Sequence, residues 1–230
     1  MTPCNPLEPA QKRRRMVPQL RWPKAPMEVA QRYEQRHTAS SAPALVLWAS
    51  WAVQSLYYLD DLDQVQDHYP EPVAGHLADI IDIAHVRWST STAITALDLC
   101  AASLARGHAG WTSSHRREAD LRDFQPGASN SRRRREIAAR RGQLPPAALK
   151  WVDQVLADPR YRRIHGARNP FTHSWLTRTL SRGGGGGHAV RTSFRDQETG
   201  RVTNAREFVE LARDLASDQV IAFLDVFDGL

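Results

Sequence analysis

From Ala42 onward, apolar residues return at every third or fourth position. Leu45, Trp48, Ala49, Ala52, Val53, Leu56 and Leu59 form one stripe. Leu77, Ile80, Ile81, Ala84, Ile94, Leu97, Ala101 and Leu104 form another between Val73 and about Arg106. This is the period of helices that bury one side. The turn signal YPEP at 69–72 separates them, and the weak helix formers of RWSTST predict a kink inside the second.

Helical pattern resumes at Pro145, with Leu149, Val152, Val155 and Leu156 on one side. Asp158-Pro159 interrupts it, because the residue before a proline is driven out of the α region. A further helix is expected from Pro170 to about Arg182. A last one starts at the capping-box-like Asn204-x-x-Glu207 and carries Phe208, Leu211, Leu215, Val220, Phe223, Leu224 and Phe227. The expected fold class is all-α, a four- to five-helix bundle.

Three segments fall outside this pattern. Residues 1–40 hold six prolines and KRRR and read as a disordered or loosely attached basic arm, leaving 41–230 as the helical-bundle domain. Residues 107–144 read as a basic insertion, a mobile loop with a short helix over 131–141. Residues 183–203 read as a Gly-rich linker in which HAVRTSF and RVT could pair as a small hairpin around RDQETG.

The net charge of +6 is blocked rather than mixed. Residues 41–100 sum to −7, and 101–150 to +7. A local positive field can steer a polyanion to one side of the molecule. Arg132, Arg133, Arg134 and Arg135 in the insertion, with Arg162 and Arg163 further on, are the candidate RNA-binding residues, since guanidinium groups contact phosphate and stack on bases.

Cys4 and Cys100 offer neither a disulfide framework nor a thiol metal site, and a reducing cytoplasm fits them. The stretch 42–59 is broken by Ser50, Gln54 and Ser55 and is short of a membrane span, so no membrane partner is expected. The spacings of His76, Asp79, Asp82 and His85 read as a solvated face, and no metal or cofactor is expected.

The candidate chemistry lies in RYRRIHGARNPFTHSWLTRTL. Arg, four residues, then His occurs three times in the chain, as Arg32/His37, Arg160/His165 and Arg168/His173. Only the third has Asn directly after the Arg. With Pro170 as the first helical residue, Asn169 is its expected N-cap. Arg168 and His173 would then flank a positive helix end suited to phosphate. Arg would stabilise phosphoryl charge while His moves a proton, which is the equipment for metal-free phosphodiester cleavage. Asp98, on the edge of the second stripe, could orient either residue or simply be a surface acid. His165 reads as a turn residue.

Helices around an Arg-Asn-x-x-x-His motif resemble the HEPN superfamily. The likeness covers 42–182 and the last helix in pattern, and one short motif in identity. It implies a metal-independent endoribonuclease acting on RNA, with a composite site across a homodimer. Many such enzymes are toxins or antiviral effectors, and an inhibitory partner protein goes with a toxin role. By this resemblance Arg168 contacts phosphate, His173 is the catalytic histidine and Asn169 supports them. The alternative is a non-catalytic helical module that binds nucleic acid or a partner protein. The insertion, the Gly tract and the arm have no counterpart in the family pattern.

Overall fold

The computed structural model describes residues 20–37, 40–58, 73–111, 118–127, 130–173, 181–183, 191–195 and 199–230. For 58, 73–82, 168–173, 181–183, 191–195 and 202 it describes the backbone only. The protein is mostly helical. Helices α1 (Pro26–Arg36), α2 (Ala42–Tyr58) and α3 (Val73–His108) are followed by a 3-10 turn at Leu121–Asp123. Then come α4 (Ser131–Gln143), α5 (Pro146–Ala157) and α6 (Pro159–His173), three short strands, and α7 (Ala205–Asp228). No helix among the described residues is long and apolar enough to cross a membrane.

Helix α3 is the central element, packed along α2 and α7 and against α6, while α1 lies on α2 and α7. The core is built from Val46, Ala49, Val53 and Leu56 of α2 and Ile94, Leu97, Cys100 and Leu104 of α3. Trp151 and Val155 of α5 and Phe208, Leu215, Phe223 and Phe227 of α7 complete it. The Trp151 indole N–H donates to the Gln219 carbonyl at 2.9 Å, so its one polar atom is satisfied within the core.

Helix α3 runs without a break through RWSTST. Ser89 and Thr90 are fully buried, and their hydroxyls donate to the Val86 carbonyl at 3.2 and 2.6 Å. Back-bonding of this kind absorbs the polar groups of RWSTST inside the helix. At the end of α3, Gly110 takes a left-handed conformation (φ 65°), and the Trp111 amide turns back to the Ala105 carbonyl at 3.0 Å.

Five expectations need correction. The arm does not stay loose through residue 40: α1 buries Val29, Ala30 and Tyr33, and Leu20 and Trp22 rest on the core. Residues 1–19 lie outside the described residues. The insertion is not merely a loop. Trp111, Ala119, Leu121 and Phe124 are buried, and the Asp120/Asp123 capping box fixes the 3-10 turn. Helix α4 occupies 131–143, close to the expected 131–141. Trp48 faces solvent at 53% exposure, because the buried stripe of α2 is the narrower set Leu45, Val46, Ala49, Val53 and Leu56.

The remaining two corrections concern the region after Asp158. The helix there begins at Pro159 and not at Pro170. It also does not run to Arg182, because Ser181–Gly183 is strand β1. Strand β1 pairs antiparallel with β2 (Arg191–Arg195), Arg182 opposite Thr192. Strand β2 in turn pairs antiparallel with β3 (Val202–Asn204), Phe194 opposite Thr203. The expected hairpin is therefore present, with a third strand on its outer side, and it leans on α3 and α7. Residues 184–190 of the Gly tract lie outside the described residues. Asn204 caps α7 as expected, its side chain accepting from the Arg206 amide at 2.8 Å.

Candidate functional site

Helix α6 starts where the chain offers a carboxylate followed by a proline. Asp158 accepts from the Arg160 amide at 2.8 Å, and Pro159 occupies the position where a missing N–H costs nothing. The Arg160 guanidinium folds back on the same carboxylate at 2.9 Å and reaches Asp218 of α7 at 2.7 Å, while the Gln219 amide donates to Asp158 at 3.2 Å. Burial of Asp158 works against its charge, but these bonds outweigh it and hold the carboxyl below its ordinary range. Arg160 is held the opposite way, its side-chain bonds to Asp158 and Asp218 raising its pKa.

Arg160 is therefore a bolt between α6 and α7. Its spacing partner His165 lies beside Tyr161 one turn earlier, ring centroids 5.5 Å apart. The pair Arg32/His37 is accounted for in the same way. Arg32 donates to Asp228 at 2.7 Å, and His37 stacks on Tyr33 with centroids 4.3 Å apart. Two of the three Arg-x4-His spacings thus belong to structural contacts.

Arg168, Asn169 and His173 all lie on the backbone of α6, and their side chains are outside the described residues. The backbone overturns one part of the sequence reading. Pro170 sits in the last turn of the helix, so Asn169 is an interior residue and not an N-cap. Having no N–H, Pro170 cannot make the helical bond to the Gly166 carbonyl, which weakens the final turn. The free amides of a helix start, which were to bind phosphate, belong to the Asp158–Pro159 end instead. Along α6, Asn169 and His173 are one turn apart, whereas Arg168 and His173 are five residues apart, about 140° around the axis.

The candidate RNA-binding arginines fall on two helices. Arg162 is exposed and Arg163 half-buried on α6. Arg132, Arg133, Arg134 and Arg135 are all exposed in the opening turn of α4. Asn130 caps this turn, accepting from the Arg133 amide at 2.7 Å, and Arg132 pairs with Glu136 one turn on. Arginines at the positive end of a helix oppose its dipole. An anion arriving there relieves that repulsion.

The other end of α4 behaves differently, and the sequence reading did not separate the two. Arg140 donates to Asp123 at 3.3 Å and lies over the Trp111 ring, 4.7 Å from its centroid. Arg141 donates to the Phe124 carbonyl at 3.0 Å and to Asp153 at 2.9 Å. The only signal for this difference in the sequence was Ile137, whose burial sets the inner face of the helix. The last-turn arginines are anchors, and the first-turn arginines are left to solvent.

Asp98 has a contact that the sequence did not signal: its carboxylate accepts the Leu121 amide at 3.2 Å and ties the 3-10 turn to α3. Among the described residues, no group of three or more His, Cys, Asp or Glu is placed to hold a metal ion. His76, Asp79 and Asp82 have side chains outside the described residues, and His85 is buried. Cys100 is fully buried, and burial, with Asp98 nearby, pushes its thiol well above the ordinary range, so it is not a nucleophile.

No family model matches this chain, and neither does any curated protein or solved structure.

Proposed function

We propose that the chain is a metal-independent endoribonuclease of HEPN type, with Arg168 and His173 as its reacting pair and Asn169 supporting them. The observation that carries this reading is an elimination. Arg32 is committed to Asp228, and Arg160 to Asp158 and Asp218. The remaining Arg-x4-His spacing, Arg168/His173, is the one with Asn directly after the Arg. The mostly helical architecture agrees with the same family.

In the proposed reaction the ribose 2′-oxygen attacks phosphorus and the P–O5′ bond breaks. His173 accepts the 2′-hydroxyl proton, and a second histidine delivers a proton to the departing 5′-oxygen. A homodimer supplies that second group as His173 of the other copy. The Arg168 guanidinium meets the charge that builds on the phosphoryl oxygens. No cofactor enters. A toxin or defence role, with a partner protein holding the enzyme in check, is the setting in which such an activity is used.

The test is to incubate the purified protein with RNA in excess EDTA and analyse the product ends. Fragments ending in a 2′,3′-cyclic phosphate and beginning with a 5′-hydroxyl support the reading. RNA left intact at protein concentrations that saturate binding rejects it.

A second reading, a non-catalytic module that binds RNA, is favoured by two observations. Pro170 closes α6 rather than opening it, so no helix start lies beside the motif. The opening turn of α4 meanwhile presents Arg132, Arg133, Arg134 and Arg135 to solvent. On this reading binding is electrostatic and steeply salt-dependent, and it survives loss of His173.

A further inference from the structure

Tyr33 is the centre of a ring cluster where α1 meets α3 and α7. One face of it lies on Phe227, with centroids 4.1 Å apart and planes 15° from parallel. His37, the residue that caps the C-terminal end of α1, is 4.3 Å away. The third member, His108 at the end of α3, meets Tyr33 edge-on at 6.3 Å, with its Nε2 at 3.4 Å from the Tyr33 hydroxyl. The two imidazoles are 6.1 Å apart. His37 Nε2 stands 2.9 Å from the Leu230 carbonyl oxygen, which can only accept, so that nitrogen carries its hydrogen.

We propose that the His37–Tyr33–His108 cluster is a proton-operated latch, which holds α1 on α3 and α7 at neutral pH and releases it in mild acid. Two imidazoles this close, one of them against a fully buried tyrosine ring, cannot both take a proton without repulsion that the half-buried setting screens poorly. Burial, and then the charge of His37, lowers the proton affinity of His108. A group whose pKa falls on folding contributes stability that is complete above its unfolded value and is lost as pH drops below it. For His108 that loss begins near pH ~6.5, the ordinary histidine value.

The surrounding charges do not blur this window. Helix α1 contributes Glu28, Arg32, Glu34 and Arg36, and the chain just before it Lys24. Helix α3 contributes Arg106, tied to Glu118. From α7 come Asp225 and Asp228, both paired with Lys24, and Arg32 also holds Asp228. Helix α2 has no acidic or basic residue from Ala42 to Tyr58. The Arg32 and Lys24 bonds keep Asp228 ionised down to about 2, so these ion pairs outlast the histidine transition. The latch involves α1, α3 and α7, and it stands or falls independently of any RNA cleavage.

The experiment is amide hydrogen exchange on the full chain, corrected for the intrinsic pH dependence of exchange. Between about pH 7.5 and pH 5.5, opening of residues 29–33 should rise about threefold to tenfold relative to residues 220–224 of α7. His108→Gln, which keeps a hydrogen-bonding group but cannot be charged, should flatten that rise. A companion NMR titration of the His108 ring in the unaltered protein covers the case in which this variant fails to fold. Its midpoint should coincide with that of α1 opening. Equal opening of α1 at both pH values, an undiminished rise in His108→Gln, or two midpoints that disagree would each overturn the latch.

Discussion

The Arg160 guanidinium lies 2.7 Å from the Asp218 carboxylate, joining the first turn of α6 to the middle of α7 across 58 residues of sequence. The same group neutralises Asp158, whose side chain is only 10% exposed. Arg160→Ala leaves that carboxylate without its main partner and should cost about 1–3 kcal/mol in denaturant unfolding. RNA cleavage per folded molecule should not change. A variant that lost cleavage without losing stability would mean that the spacing at 160–165 had been assigned to the wrong role.

Gly107 tests the packing around Tyr33. A Cβ placed there meets the Tyr33 hydroxyl, and Tyr33 cannot retreat because Phe227 and His37 hold its ring. Alanine brings about 1 kcal/mol of helix propensity, but overpacking costs about 1–3 kcal/mol, so Gly107→Ala should be destabilising overall. Adding Tyr33→Phe, which removes the clashing oxygen, should restore much of the loss. In Gly142→Ala nothing lies within 4 Å of the new methyl, so the melting temperature should hold or rise.

Acid stability has a second window below that of the histidines. Hydrogen bonds from Arg32, then Lys24, hold the Asp228 carboxyl down to about 2, against an unperturbed 3.8. A carboxylate lowered on folding contributes stability that is present above its unfolded value and lost as pH falls through its folded one. The docking of α1 on the end of α7 should therefore weaken between about pH 4 and pH 2. Asp228→Asn should flatten the acid limb of the unfolding curve in that range, and high salt should reduce the difference between the two proteins.

The first turn of α4 gives a binding prediction. If Arg132, Arg133, Arg134 and Arg135 neutralise RNA phosphates, replacing all four with Gln should leave the melting temperature nearly unchanged. The slope of log affinity against log salt should shrink by roughly 0.7 for each phosphate no longer neutralised on single-stranded RNA. An unchanged slope would exclude α4 as the RNA-binding helix. Arg140 and Arg141 serve as the contrast, since replacing them should cost stability through Asp123, Trp111, Phe124 and Asp153.

Much of the helical framework was legible because apolar period and caps are local signals. Asn204 capping α7, Asp158-Pro159 ending α5, and the hairpin around Thr199–Gly200 were all readable in this way. The start of α6 was not, since Asp158-Pro159 and Asn169-Pro170 carry the same local signature of a cap followed by proline. The structure uses the one whose arginine finds Asp218, a partner no local reading could supply. Helix α1 was hidden for a related reason. Val29, Ala30 and Tyr33 are too few to stand out in a basic, Pro-rich segment, and they are buried by residues far along the chain. His108 likewise comes to Tyr33 from 75 residues away. At the candidate site, residue types were readable, but the backbone around Pro170 was not.

Single-turnover cleavage in EDTA by folded His173→Ala, with Arg168→Lys beside it, tests most directly whether Arg168 and His173 cleave RNA. The unaltered protein should cleave. Each variant should lose about a hundredfold or more, the scale of a missing acid–base or charge-stabilising group, with helical content and RNA affinity preserved. Cleavage at an undiminished rate by both folded variants would contradict that role for the pair.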